Sequence, residues 1–175
     1  MTSYKFKDTT LKFLELNHFK ELTKVQRLCL NKIIKGQNVM AIAPTGTGKT
    51  HAYLLPIMEM IDPLDHNLQV MISCPSKELA LQIYDKAKLM SKVFTDLSFK
   101  LITSGQDFER MNLEGVQIVI GTPGKIKDLF LSGRLRVDKI RMFVVDEADM
   151  TLEFGFLNDI DAVLSKMKDD VQILG

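Results

Sequence analysis

The chain has 175 residues, the size of one domain, and 46% of them are hydrophobic, enough to bury a substantial core. Charged residues make up 26% and the net charge is +1, so no bulk basic field marks a nucleic-acid binder, although local basic groups such as Lys24, Arg27, Lys32 and Lys35 occur. No apolar run reaches the roughly 18 residues of a membrane span, and no charged start leads into a signal segment. Cys29 and Cys74 sit in apolar surroundings without metal-ligand spacing, so buried reduced thiols and a cytoplasmic location are expected.

Apolar residues recur at helical spacing from Leu11 to Phe19. A second helix is predicted after Thr23, ending at Lys35 with Gly36 as its left-handed stop. Asn38 to Ala43 reads as a buried strand feeding a Gly-rich turn, and Thr50 to Ile61 as a helix in which Pro56 predicts a kink or disruption. The alternation continues with strands at Leu68–Cys74, Phe99–Thr103, Val116–Gly121, Arg141–Val145 and Val171–Leu174. Helices are predicted between them at Ser76–Met90, Pro123–Leu131 and Leu157–Met167. This order predicts an α/β fold with a mostly parallel central sheet and helices on both faces. Ligands then bind beyond the carboxyl ends of the strands.

Two motifs fall there. The turn Ala43-Pro44-Thr45-Gly46-Thr47-Gly48-Lys49-Thr50 keeps the working parts of a phosphate loop, although Ala43 takes the first glycine position. Its glycines allow close backbone approach to phosphate oxygens, Lys49 adds a point charge, and the Thr50 hydroxyl can ligand Mg2+. Asp146-Glu147-Ala148-Asp149 follows the apolar run Met142 to Val145. Asp146 suits Mg2+ held through water, and Glu147 suits positioning and deprotonating an attacking water. Together the motifs argue for nucleoside triphosphate hydrolysis, with Lys49, Asp146 and Glu147 catalytic and Thr50 and Asp146 serving the metal.

The tetrad and its companions resemble the DEAD-box ATP-dependent RNA helicases over nearly the whole chain. Phe19-Lys20-Glu21-Leu22-Thr23-Lys24-Val25-Gln26 resembles the adenine-reading Q motif. Pro75-Ser76-Lys77-Glu78-Leu79-Ala80 and Thr122-Pro123-Gly124-Lys125 resemble the two RNA-backbone motifs of the first RecA-like domain, and Ser104-Gly105 the weaker glycine doublet. The resemblance implies a three-layer RecA-like P-loop domain over 1–175, with 1–36 as the Q-motif flank. It implies ATP bound by Phe19, Glu21, Gln26, Thr45, Gly46, Thr47, Gly48, Lys49 and Thr50. It further implies RNA held by its backbone at Pro75, Ser76, Lys77, Ser104, Gly105, Thr122, Pro123, Gly124 and Lys125, with little sequence preference. Gln26 has a second reading, because Thr23-x-x-Gln26 is also a capping box, and Phe6 serves equally as the family's isolated aromatic or as plain packing. Ser76 and Thr122 are equally good helix N-caps, and a helix start is itself an anion site.

The chain departs from the family pattern at several places. Lys77 and Lys125 stand where arginine is usual, which loses the bidentate fork. His18 replaces a glycine, Leu22 and Lys24 stand where prolines are common, and the flank is shortened. After Gly175 the family pattern would continue into a second RecA-like domain carrying an arginine finger. The expected function is therefore the N-terminal, ATP- and RNA-binding half of a monomeric RNA helicase, nearly inactive alone. Two alternatives stand beside it: a non-catalytic RNA-binding scaffold, and a helicase-like ATPase acting on DNA.

Overall fold

The computed structural model describes residues 5–39, 48–106, 110–147, 155, 157–167 and 171–174. Five strands form one sheet: β1 Val70–Ser73, β2 Phe99–Ile102, β3 Ile118–Gly121, β4 Met142–Val145 and β5 Gln172–Leu174. They lie in the order β2-β3-β1-β4-β5, and every pairing is parallel. Val39 adds a parallel bridge to Leu174 beyond β5, which is the described part of the strand expected over Asn38–Ala43; its remaining residues lie outside the described set. The helices are α1 Asp8–Leu16, α2 Lys24–Ile34, α3 Lys49–Met60, α4 Lys77–Met90, α5 Pro123–Leu131 and α6 Leu157–Leu164.

Alternation along each strand assigns the two faces. Val70, Ile72, Ile118, Ile120, Met142 and Val144 join a core with Phe13, Ile33, Leu54, Ile57, Ile83 and Met90, so α1 to α4 cover one face. Met71, Val119 and Phe143 point the other way, into a core with Ile126, Leu129, Ile160 and Val163 from α5 and α6. β1 and β3 are buried at every position, whereas the edge strand β2 is half-buried over its first three residues. Coverage on both faces explains the continuous apolar runs that the sequence shows for the inner strands.

Several elements differ from their predicted bounds. α1 begins at Asp8, ahead of the first apolar residue of the periodic run, and ends at Leu16. Thr10 in its first turn is fully buried, so a polar-looking turn belongs to the helix. The backbone of His18 then turns left-handed at φ 59, and its N–H returns to the Glu15 carbonyl at 3.1 Å. α3 runs through Pro56 as one helix to Met60, so of the predicted kink or disruption the disruption does not occur. Gly36 does stop the preceding helix, at φ 77. No helix among the described residues is long and apolar enough to cross a membrane.

Candidate functional site

The carboxyl edge of the sheet gathers the motif residues. Ser73 pairs with Val145 across β1 and β4, so Cys74 and Asp146 leave adjacent strands side by side. The Asp146 N–H donates to the Ser73 carbonyl at 2.9 Å, extending the ladder by one rung. The Cys74 thiol donates to Asp146 Oδ2 at 3.7 Å. Asp146 is only 8% exposed. Burial raises its carboxyl pKa above the usual carboxylate value; the Glu147 charge adds to the rise and Lys49 opposes it. Glu147 follows in the left-handed region at φ 52, uncommon for a residue with a side chain and a recurrent mark of functional turns.

Lys49 opens α3 and lines a small cavity with Cys29, Tyr53 and Asp146, closed by Ile33, Val39, Ala52, Val144, Val145 and Leu174. The lysine and the acid therefore meet on one side of the sheet, as the motif pairing requires. Gly48 caps α3 at φ 80, and a Cβ there would overlap the Gln26 amide. Both the backbone angle and the contact demand glycine. Thr45, Gly46 and Thr47, like Ala148 and Asp149, lie outside the described residues.

Gln26 realises the capping box. Its Oε1 accepts from the Thr23 N–H at 2.8 Å, while the Gln26 N–H donates to Thr23 Oγ1 at 3.3 Å. The same side chain donates from Nε2 to the Gly48 carbonyl at 3.2 Å, so one amide joins the start of α2 to the start of α3. Gln26 is 4% exposed and Glu21 is exposed. Phe19 packs against His51 edge-on at 5.3 Å between ring centroids and against Phe13 at 5.9 Å. Burial, with the Lys86 charge behind it, lowers the His51 pKa to about 4, so the imidazole is a neutral aromatic partner at physiological pH. Phe6 is half-buried.

The other motifs follow the ends of β1, β2 and β3, which are neighbours in the sheet. Ser76 caps α4 by accepting from the Leu79 N–H at 3.2 Å. Thr122 stands at the cap of α5 with Pro123 in the first turn, without a side-chain capping bond. Pro75 is buried, whereas Lys77, Ser104 and Gly105 are exposed. A Cβ on Gly105 would lie 3.5 Å from Lys77 Nζ, which puts that ammonium beside the glycine doublet. Lys125 is half-buried and pairs with Asp128 at 3.6 Å, and Gly124 faces the Asp159 carboxylate. Asp159 in turn accepts from Lys127 at 2.9 Å, tying α5 to α6.

Sequence reasoning passed over Tyr53 and Cys74. Tyr53 lies one helical turn after Lys49, a spacing that puts two side chains on one face. Cys74 needed the β1–β4 register, which no local pattern encodes.

Comparison with known proteins places this arrangement. A family model described as DEAD/DEAH box helicase matches residues 23–175. The chain is 39% identical over 160 residues to the DEAD-box ATP-dependent RNA helicase CshB of Listeria monocytogenes, covering 89% of this chain and 37% of that protein. It is 33% identical to the ATP-dependent RNA helicase DeaD of Haemophilus influenzae, covering 88% of this chain and 26% of that one. Among solved structures, a DEAD box protein from the hyperthermophile Methanococcus jannaschii superposes with a TM-score of 0.92 at 28% identity, covering 98% of this chain and 48% of that chain. S. cerevisiae Dbp5 bound to RNA and ADP BeF3 gives 0.89 at 28% identity, covering 97% and 44%. The chain thus spans less than half the length of the relatives it matches. On the family model, these relatives and the shared fold, the chain belongs to the DEAD/DEAH box helicase family.

Proposed function

We propose that this chain is the N-terminal, ATP- and RNA-binding half of an ATP-dependent RNA helicase that couples ATP hydrolysis to RNA unwinding or remodelling. The observation that carries the reading is the convergence of Lys49 and the buried Asp146 on one cavity at the carboxyl edge of the sheet. Asp146 fits a magnesium site, because a carboxylate whose charged form is disfavoured by burial regains it beside a cation. One carboxylate and the Thr50 hydroxyl are a donor set suited to Mg2+, which keeps several of its waters. An ion held there by Asp146 and Thr50 would supply positive charge to offset that of the phosphates.

The residues of the chain supply the rest. Lys49 and the N–H groups opening α3 bind phosphate oxygens, since a helix start favours anions. Gln26, which also fixes Gly48, would read adenine, with Phe19 offering a ring to the base. Glu147 accepts the proton of the attacking water. Ser76, Lys77, Gly105, Thr122 and Lys125 hold RNA by its phosphates and sugars, through helix starts and ammonium groups. A second α/β domain, for which the relatives' length leaves room, would close the opposite wall and add the arginine that stabilises the transition state.

The test is a pair of measurements on this chain. Calorimetric titration is expected to show binding of Mg-ATP in preference to Mg-GTP, and turnover with saturating RNA is expected to stay slow. Absence of any ATP binding would overturn the reading. Stimulation of the longer protein by single-stranded DNA in place of RNA would redirect it to a DNA-dependent ATPase.

A further inference from the structure

We propose that the Tyr53 hydroxyl is a positioning group for Asp146, acting through one water held in the cavity beside Lys49. The inference rests on the nucleotide and magnesium reading above. Tyr53 is 6% exposed, and among the described residues no protein group meets hydrogen-bond geometry with its buried hydroxyl oxygen. Burial disfavours the ionised phenol most, Asp146, Cys74 and Glu147 add to that, and a weak side-chain hydrogen-bonding approach of Thr50, short of full geometry, opposes them. The phenol therefore stays protonated, with an O–H to donate. A phenylalanine would pack the same ring without burying an unsatisfied oxygen, so packing alone does not call for tyrosine.

The cavity supplies the missing partner. Its volume is about 20 Å³. One ordered water needs roughly 10–15 Å³ and two to four polar contacts. Tyr53, Lys49 and Asp146 all line this space, and the other described lining residues are almost wholly apolar. A water there accepts hydrogen bonds from the tyrosine hydroxyl and the Lys49 ammonium and donates one to the Asp146 carboxylate. The Cys74 thiol already donates to Oδ2 of the same group. Gripped by the thiol and the water, the carboxylate cannot rotate freely and keeps its remaining lone pairs for the metal's water shell. Outer hydrogen bonds of this kind commonly change metal affinity about 10- to 100-fold.

Tyr53→Phe tests the proposal in this chain, with ATP binding followed by calorimetry across a magnesium series and in EDTA. The magnesium concentration giving half-maximal enhancement of ATP binding is expected to rise about tenfold. Affinity for ATP in EDTA is expected to match that of the unsubstituted chain. An unchanged magnesium midpoint overturns the assignment. An equal loss with and without magnesium makes Tyr53 a packing residue and overturns it as well. Failure of the unsubstituted chain to bind ATP at any magnesium concentration would instead remove the nucleotide reading itself, and the role of Tyr53 with it.

Discussion

The two halves of the sheet's carboxyl edge are built differently. On the β4 side two motif groups are buried and held: Asp146 by Cys74 and the Ser73 carbonyl, and Gln26 of α2 by Thr23 and Gly48. Beyond β1, β2 and β3 the groups are helix starts and exposed side chains such as Lys77 and Ser104. Low dielectric strengthens each charge interaction on the first side, which suits a reaction that needs fixed geometry. Solvated cations and helix N-termini on the second side suit a ligand that must slide and be released. On the proposed function, the difference means that nucleotide and RNA would be recognised by unlike physics from one shared edge.

The sharpest break of that contrast is Lys49→Ala. It removes an ammonium that opposes the Asp146 charge, and ATP affinity should fall about 100-fold, close to 3 kcal/mol, in a calorimetric titration. RNA affinity measured without nucleotide should stay within twofold. Next in size, Lys77→Ala and Lys125→Ala should each weaken RNA several-fold by fluorescence anisotropy, and lower the salt slope by about 0.7. ATP affinity should not follow; if it did, the two halves would not be separable.

Asp146→Asn sharpens the comparison through stability. The folded carboxyl pKa is raised above its ordinary 3.8, so the native state binds the proton more tightly than the unfolded chain does. The charged form therefore burdens the fold fully above the folded pKa, and the burden vanishes as pH falls toward 3.8. Asp146→Asn should raise the unliganded chain's stability at pH 7 by on the order of 1 kcal/mol, or roughly 2–4 °C in melting temperature, while abolishing magnesium-dependent ATP binding. That gain should disappear in acid; a gain that persists at low pH would assign it to packing instead. The smallest effect is expected outside both halves. His18→Gly relieves a left-handed backbone angle at an exposed residue and should add up to about 1 kcal/mol without changing either ligand.

Much of the fold was legible wherever one local signal settled the matter. Pro123 and the cap at Thr122 mark the start of α5, and the helix runs over the same residues as predicted. Thr23 with Gln26 likewise marks α2, and the capping box is formed. α1 was misplaced because apolar spacing is silent about a first turn of Asp8, Thr9 and Thr10, of which Thr10 is buried only by tertiary packing. Pro56 does not end α3 for a related reason: a helix buried along nearly its whole length can absorb one lost hydrogen bond. In the candidate site, residues adjacent in sequence were readable and residues joined by strand register were not. Cys74 and Tyr53 reach Asp146 only after β1, β4 and α3 have assembled.

The edge strand β2 has a consequence for how copies of this protein behave at high concentration. Its outer main-chain groups face away from β3, and the Gln106 side chain covers two of them, donating to the Leu101 carbonyl at 3.0 Å and accepting from the Thr103 N–H at 2.8 Å. Phe99 and Leu101 turn toward the first core, which leaves Lys100 on the opposite side at the middle of the strand. A charge placed there makes stacking of one edge on another repulsive, and together with the Gln106 amide it guards this flank of the sheet against aggregation.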